Sequence, residues 1–160
     1  MRDLNHLQLI IIVRLAIAAG FGAAVGIERE LREQAAGLRT HILVSLGACL
    51  FTLVGAYGFL ALATHNTANP EPTRIASNIV VGVGFLGAGS ILREGRTIHG
   101  LTTAASLWVS AAIGMAVGVG LYWASGVAVV LTLLSLWVLR PFRYRNRESH
   151  DRTDTTDPDG

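Results

Sequence analysis

Apolar residues in this chain come in long runs, not in the alternation of a strand or the one-sided stripe of a soluble helix. Five runs stand out: Leu7 to Ile27, Ile42 to Ala63, Ile75 to Leu92, Leu101 to Gly120 and Leu121 to Leu139. A hydrocarbon core about 30 Å thick takes about 20 helical residues at about 1.5 Å each, so the pattern predicts five membrane-spanning helices. From Arg143 the chain reads RYRNRESHDRTDTTDPDG, polar and without apolar periodicity. Such a segment cannot bury a core. The expected organisation is therefore an all-α, compact five-span bundle over residues 1–142 and a disordered polar tail over residues 143–160.

Composition supports the class and excludes others. With 51% hydrophobic residues, only 15% charged and a mean hydropathy of +0.48, the chain does not read as a soluble domain. The first run is expected to be a membrane span and not a cleaved signal peptide, because Arg2 is cancelled by Asp3, Arg14 interrupts the run, and arginines follow it at Arg29, Arg32 and Arg39. Lysine is absent, so orientation rests on the 13 arginines. With the N-terminus outside, ten fall on the cytoplasmic side and two, Arg2 and Arg74, on the other, with Arg14 inside the first span. The expected location is thus a bacterial cytoplasmic (inner) membrane, with the C-terminus and the tail inside. The lone Cys49 offers neither a disulfide nor a metal framework. The basic pI near 9.2 comes from arginines placed by topology, which points to anionic lipid headgroups as partner and not to nucleic acid.

The stretch VVGVGFLGAG carries Gly82, Gly84 and Gly87 in the spacing GxGxxG. A dinucleotide turn would need an acid about 20 residues on. After Glu94 the next acid is Glu148, so a nucleotide is not expected. Small residues let membrane helices approach closely. They recur at steps of four in the first span (Ala18, Gly22, Gly26) and the fourth (Thr102, Ser106, Ser110, Gly114, Gly118). The glycines of the third span are expected to form the thin centre of a helix packed on several sides.

Polar groups near the spans are the candidates for function. Arg14 is expected to snorkel to the outer headgroups. Asn78 suits a cross-helix hydrogen bond or a site, and Thr102, Thr103 and Ser106 stand between structure and site. Glu28 and Arg32, and Arg29 and Glu33, are four apart, the spacing of surface ion pairs on a helix. The functional alternative is a polar vestibule where Glu28, Arg39 and Glu94 converge, with Glu28 and Glu94 as weak magnesium candidates. His41 and His99 lie beside these groups without a nucleophile. No phosphate loop, metal-ligand cluster or serine–histidine pair is present, so an enzyme is not expected and no cofactor beyond unproven Mg²⁺ is implied.

The segments GIERE, AGLRTHILVSLGACLF, RIASNIVVGVGFLGAGSILREG and GLTTAASLWVSAAIGMAVGVG, in this order and spacing, resemble the membrane domain of the MgtC/SapB family over residues 14–139. The resemblance implies a five-span domain linked to growth when magnesium is scarce, acting as regulator of a membrane partner such as the F-type ATP synthase, or as a magnesium or other cation transporter. Some members of the family carry a soluble regulatory domain after the last span, which is not expected here. Thr102 stands where some members have asparagine.

Overall fold

Each apolar run carries one helix in the computed structural model, which describes residues 2–58, 72–95 and 97–138. In chain order the helices are α1 (Arg2–Glu30), α2 (Leu38–Leu53), α3 (Pro72–Gly89), α4 (Leu101–Val119) and α5 (Tyr122–Val138). A π-helical turn, Val54–Gly58, extends α2. Three segments, Asn5–Glu30, Leu38–Gly58 and Leu101–Val119, are long and apolar enough to cross a membrane, and α3 and α5 are shorter apolar helices. The tail over residues 143–160, with Tyr144, lies outside the described residues, as do Phe142, Thr67 and Arg96.

The bundle is organised around α4, which contributes to all three buried clusters. Val117 joins Ala18, Cys49 and Leu53; Ala111 joins Ala48, Ile79 and Val83; Ile113 joins Val25 and Val129. α2 lies between α1 and α4, and the rows of small residues explain how it fits. A Cβ at Gly22 would stand 2.6 Å from the His41 carbonyl oxygen, and one at Gly26 would stand 2.7 Å from the Leu38 Cα. On the other side, a Cβ at Gly114 would overlap the Ser45 carbonyl, and one at Gly118 would stand 2.8 Å from the Thr52 Cβ. The four-residue steps on α1 and α4 thus grip one row of α2 from both sides, backbone against backbone.

The third span departs from expectation. A Cβ at Gly82, Gly84 or Gly89 would meet nothing within 4 Å, whereas Gly87 rests on Ala104 of α4. The helix is therefore not packed on several sides. Residues 82, 84 and 87 are spaced by two and three, which at about 100° per residue spreads them over different faces. The face that packs is carried instead by Ile75, Ile79, Val83 and Gly87, and Gly82, Gly84 and Gly89 lie off it.

Between α3 and α4 the chain forms a small antiparallel hairpin of β1 (Leu92–Glu94) and β2 (Thr97–His99), pairing Leu92 with His99, Arg93 with Ile98 and Glu94 with Thr97. Three-residue strands are too short to announce themselves by alternation, so the sequence shows only a loop. Gly95 turns the hairpin at φ +58°, and Gly100 closes its base at φ +87°, where a Cβ would overlap the Ser90 carbonyl oxygen. Gly100 meets both conditions that exclude a side chain, a left-handed backbone and no space.

The arginine asymmetry predicts that the Glu30 end of α1 faces the cytoplasm. Single cysteines at Arg32 and Asn146 in a Cys49→Ala background are expected to resist an impermeant thiol reagent in intact cells, while one at Thr67 reacts. Labelling of the Arg32 position from outside would reverse the assignment.

Candidate functional site

At the Glu30 end, α1, the start of α2 and the start of α4 meet in a polar junction. α1 ends there because the chain turns at Leu31 to Glu33, with Glu33 in the left-handed region at φ +53°. The Glu30 carboxylate then accepts a 2.9 Å hydrogen bond from the Leu38 backbone N–H, so an acid of α1 satisfies one free N–H at the start of α2. This contact fixes the α1–α2 turn.

Inside the turn, Glu28 binds two arginines. Arg32 donates through Nε to Glu28 Oε1 at 3.2 Å, in the expected four-residue spacing. Arg29 does not pair with Glu33. Its Nε lies 3.0 Å from Glu28 Oε2, without the alignment of a hydrogen bond, and the residue is only 6% exposed. α1 turns this side chain toward the bundle, so it is not a surface ion pair. Arg29 Nη1 is buried without a hydrogen-bond partner among the described residues. A buried unpaired donor costs about 1–3 kcal/mol, which marks the junction as a tolerated polar spot.

Deeper in, His41 is fully buried. Its Nδ1 is 2.8 Å from the Gly37 carbonyl oxygen, and since a carbonyl only accepts, Nδ1 carries the proton. The Nε2 then faces Ser106 Oγ at 3.1 Å. Ser106 Oγ also lies 2.8 Å from the Thr103 carbonyl oxygen, so its one hydroxyl proton has two acceptors. One turn further along α2, Ser45 donates to the Ala18 carbonyl oxygen at 2.8 Å, tying α2 to α1. Ser110, one turn beyond Ser106, is buried without a partner for its hydroxyl among the described residues. The arrangement is a line of small polar groups along the α2 seam that ends where Gly114 closes on the Ser45 carbonyl. It can hold a proton or order a short polar contact; the His41–Ser106 contact is a serine–histidine pair that the sequence reading did not expect, and both residues are sealed in the core, at 0% and 3% exposed.

The sequence-predicted candidates divide into two groups. Thr103 is 3% exposed and belongs to the core, whereas Thr102 is exposed beside it. Glu94 is exposed on β1 and Arg39 is exposed at the start of α2. No hydrogen bond or ion pair among the described residues joins Glu28, Arg39 and Glu94, because Glu28 is already held by Arg29 and Arg32. Neither do the described residues contain a group of three His, Cys, Asp or Glu side chains able to hold a metal ion. His99 is exposed on β2, remote in role from the buried His41. Asn78 lines an apolar groove between α2 and α3. The sequence reading missed the inward placement of Arg29 and the His41–Ser106 bond. The signal was present in the rows His41, Ser45, Cys49 and Ser106, Ser110, Gly114, two four-residue steps that face each other.

At the opposite end Arg14 does not snorkel. Its Nη1 donates to the Gly118 carbonyl oxygen at 2.7 Å and lies 3.3 Å from the Tyr57 hydroxyl, and its Nε donates to the Tyr122 hydroxyl at 3.1 Å. Gly118 belongs to the last turn of α4, where carbonyls lack helical partners. A guanidinium placed there caps the helix and meets the negative end of its dipole.

Comparison with known proteins places these features in context. The profile described as MgtC family matches residues 15–145. A protein named putative magnesium transporter YhiD, from Escherichia coli (strain K12), is 46% identical over 141 residues, covering 87% of this chain and 66% of its own length. Protein MgtC of Brucella abortus (strain 2308) is 44% identical over 127 residues, covering 79% of this chain and 50% of its own. Protein MgtC of Salmonella typhimurium is 43% identical over 129 residues, covering 81% and 52%. The chain thus spans between half and two thirds of the length of these relatives. No solved structure matches it.

Proposed function

Since the chain belongs to the MgtC family, whose profile covers most of the described helices, we propose that it supports adaptation to low magnesium as a non-catalytic regulator of a membrane partner in the cytoplasmic membrane. The observation that carries this reading is the closed seam at the centre of the bundle. Gly22 and Gly114 bring backbone onto backbone along α2, leaving no width for a hydrated cation between α1, α2 and α4. Magnesium keeps several waters and takes one or two carboxylates, and the five apolar runs contain neither Asp nor Glu. The two cavities beside α3 are lined almost wholly by apolar side chains, with no carboxylate in either.

What remains for function is the exposed chemistry at the Glu30 end. Thr102 and Glu94 are presented outward by the start of α4 and by the hairpin, and Arg39 by the start of α2. These residues are the proposed contact with a partner, for which the F-type ATP synthase is the candidate that the family resemblance implies.

The test is reconstitution. Purified protein alone in liposomes is expected to pass no magnesium above empty liposomes, with gradients imposed in either direction and an entrapped magnesium-sensitive dye as readout. Co-reconstituted with the ATP synthase, it is expected to change that enzyme's hydrolysis rate, and Thr102→Ala to weaken the effect. Saturable magnesium uptake by the protein alone, lost in Glu94→Gln, would instead give this chain the role printed in the name of its relative YhiD.

A further inference from the structure

Beside the contact of Ala48 with Ile79 and Val83, α2 and α3 leave a groove of about 830 Å³, lined by Leu43, Val44, Gly47, Ile79, Gly82 and Leu86. The gap has a cause in sequence. Gly47 on α2 and Gly82 on α3 both line the groove, and a Cβ at either would meet nothing within 4 Å, so two absent side chains open the space between the helices. Arg39, with Thr40 beside it, lies at one end of the groove and is exposed. No carboxylate lines the groove.

The charge is placed at one depth only. From Arg39 to Val54, the two ends of the α2 lining, the helix rises about 22 Å at about 1.5 Å per residue, more than the roughly 15 Å thickness of one hydrocarbon leaflet, half of the core. The arginine count puts Arg39 at the cytoplasmic surface, where anionic headgroups concentrate. A cation at the headgroup level above an apolar slot deep enough for a whole acyl chain complements a molecule with an anionic head and an apolar tail.

We propose that the α2–α3 groove is a binding site for an anionic phospholipid of the cytoplasmic leaflet, with its phosphate held by the Arg39 guanidinium and one acyl chain seated between Gly47 and Gly82. The slot accommodates the chain and Arg39 selects the head. The proposal rests on the membrane placement and orientation of α2, not on the regulatory reading, and it stands if magnesium flux is found.

Native mass spectrometry of the detergent-solubilised full chain, titrated with phosphatidylglycerol or phosphatidylcholine, tests it. Wild type is expected to prefer phosphatidylglycerol by about fivefold, the value of about one surface arginine contact. Arg39→Gln is expected to abolish the preference while retaining phosphatidylcholine binding. Gly47→Leu and Gly82→Leu, whose first added carbon meets nothing within 4 Å among the described residues, are expected to lower the affinity for both lipids while leaving the helical circular dichroism unchanged. Soluble glycerol phosphate at the same concentration is expected not to displace the lipid. Equal binding of the two lipids by wild type overturns the proposal, as does a preference that survives Arg39→Gln. Displacement by glycerol phosphate would make the site one for a free phosphate, and a dimer mass that excludes lipid would assign the groove to a second copy. Should a leucine variant fail to fold, the Arg39→Gln arm decides alone.

Discussion

Gly114→Leu is expected to remove the protein from the membrane fraction, while Gly84→Leu accumulates as wild type does. The two glycines look alike in sequence, each within an apolar run. At position 114 the first added carbon already overlaps the Ser45 carbonyl, and that carbonyl belongs to α2, which is held on its other side by Gly22 and Gly26 of α1. α2 therefore has nowhere to retreat. Overpacking a tight interior costs about 1–3 kcal/mol, and more where backbone must move; here three helices would have to separate. At position 84 a Cβ meets nothing within 4 Å, so a leucine adds apolar surface to a face that is already open. Immunoblots of membrane fractions at matched expression, with melting in detergent for whatever accumulates, give the comparison. Normal levels of Gly114→Leu, or loss of Gly84→Leu, would refute the packing described for α2.

Arg14→Leu is the second large effect. It deletes a charged hydrogen bond to the Gly118 carbonyl and two further bonds to the Tyr57 and Tyr122 hydroxyls. A hydrogen bond with a charged partner contributes about 1.5–3 kcal/mol, against about 0.5–1.5 for a neutral one. Denaturation in detergent should therefore show a loss of a few kcal/mol for Arg14→Leu and a clearly smaller one for Tyr122→Phe. Arg14→Lys should fall between them, since an ammonium reaches a carbonyl but does not fork to three acceptors. If Arg14→Leu were as stable as wild type, the side chain would be reaching headgroups after all.

Both predictions turn on contacts whose partners lie far apart in the chain, which is also where sequence reading loses its grip. The spans are legible because hydropathy is a property of each run by itself. The small-residue rows of α1 and α4 are legible because a step of four keeps residues on one face, and in the structure these rows meet α2. Gly82 and Gly84 mislead for the same geometric reason, being two apart on nearly opposite faces. Arg14 to Gly118 spans 104 residues and His41 to Ser106 spans 65, and nothing local to either residue names its partner. Arg29 reads as loop charge because it sits at the end of an apolar run; only the direction in which α1 turns it shows that it is inside. The hairpin eluded the pattern because two three-residue strands are shorter than any periodicity that could reveal them.

The central position of α4 has a consequence for biosynthesis. Nascent α1 and α2 emerge first and can lie against each other through Gly22 and Gly26, yet the groups they carry are not all provided for. Arg14 waits for the Gly118 carbonyl and His41 Nε2 waits for the Ser106 hydroxyl, both supplied by a helix that begins only at Leu101. Until the ribosome has passed that helix, the early spans hold polar groups in the bilayer with water, lipid heads or the insertion machinery as their only relief. A product that ends before α4 is therefore expected to be cleared by membrane proteolysis faster than one that includes it, and α5 completes the set by bringing Tyr122 to Arg14.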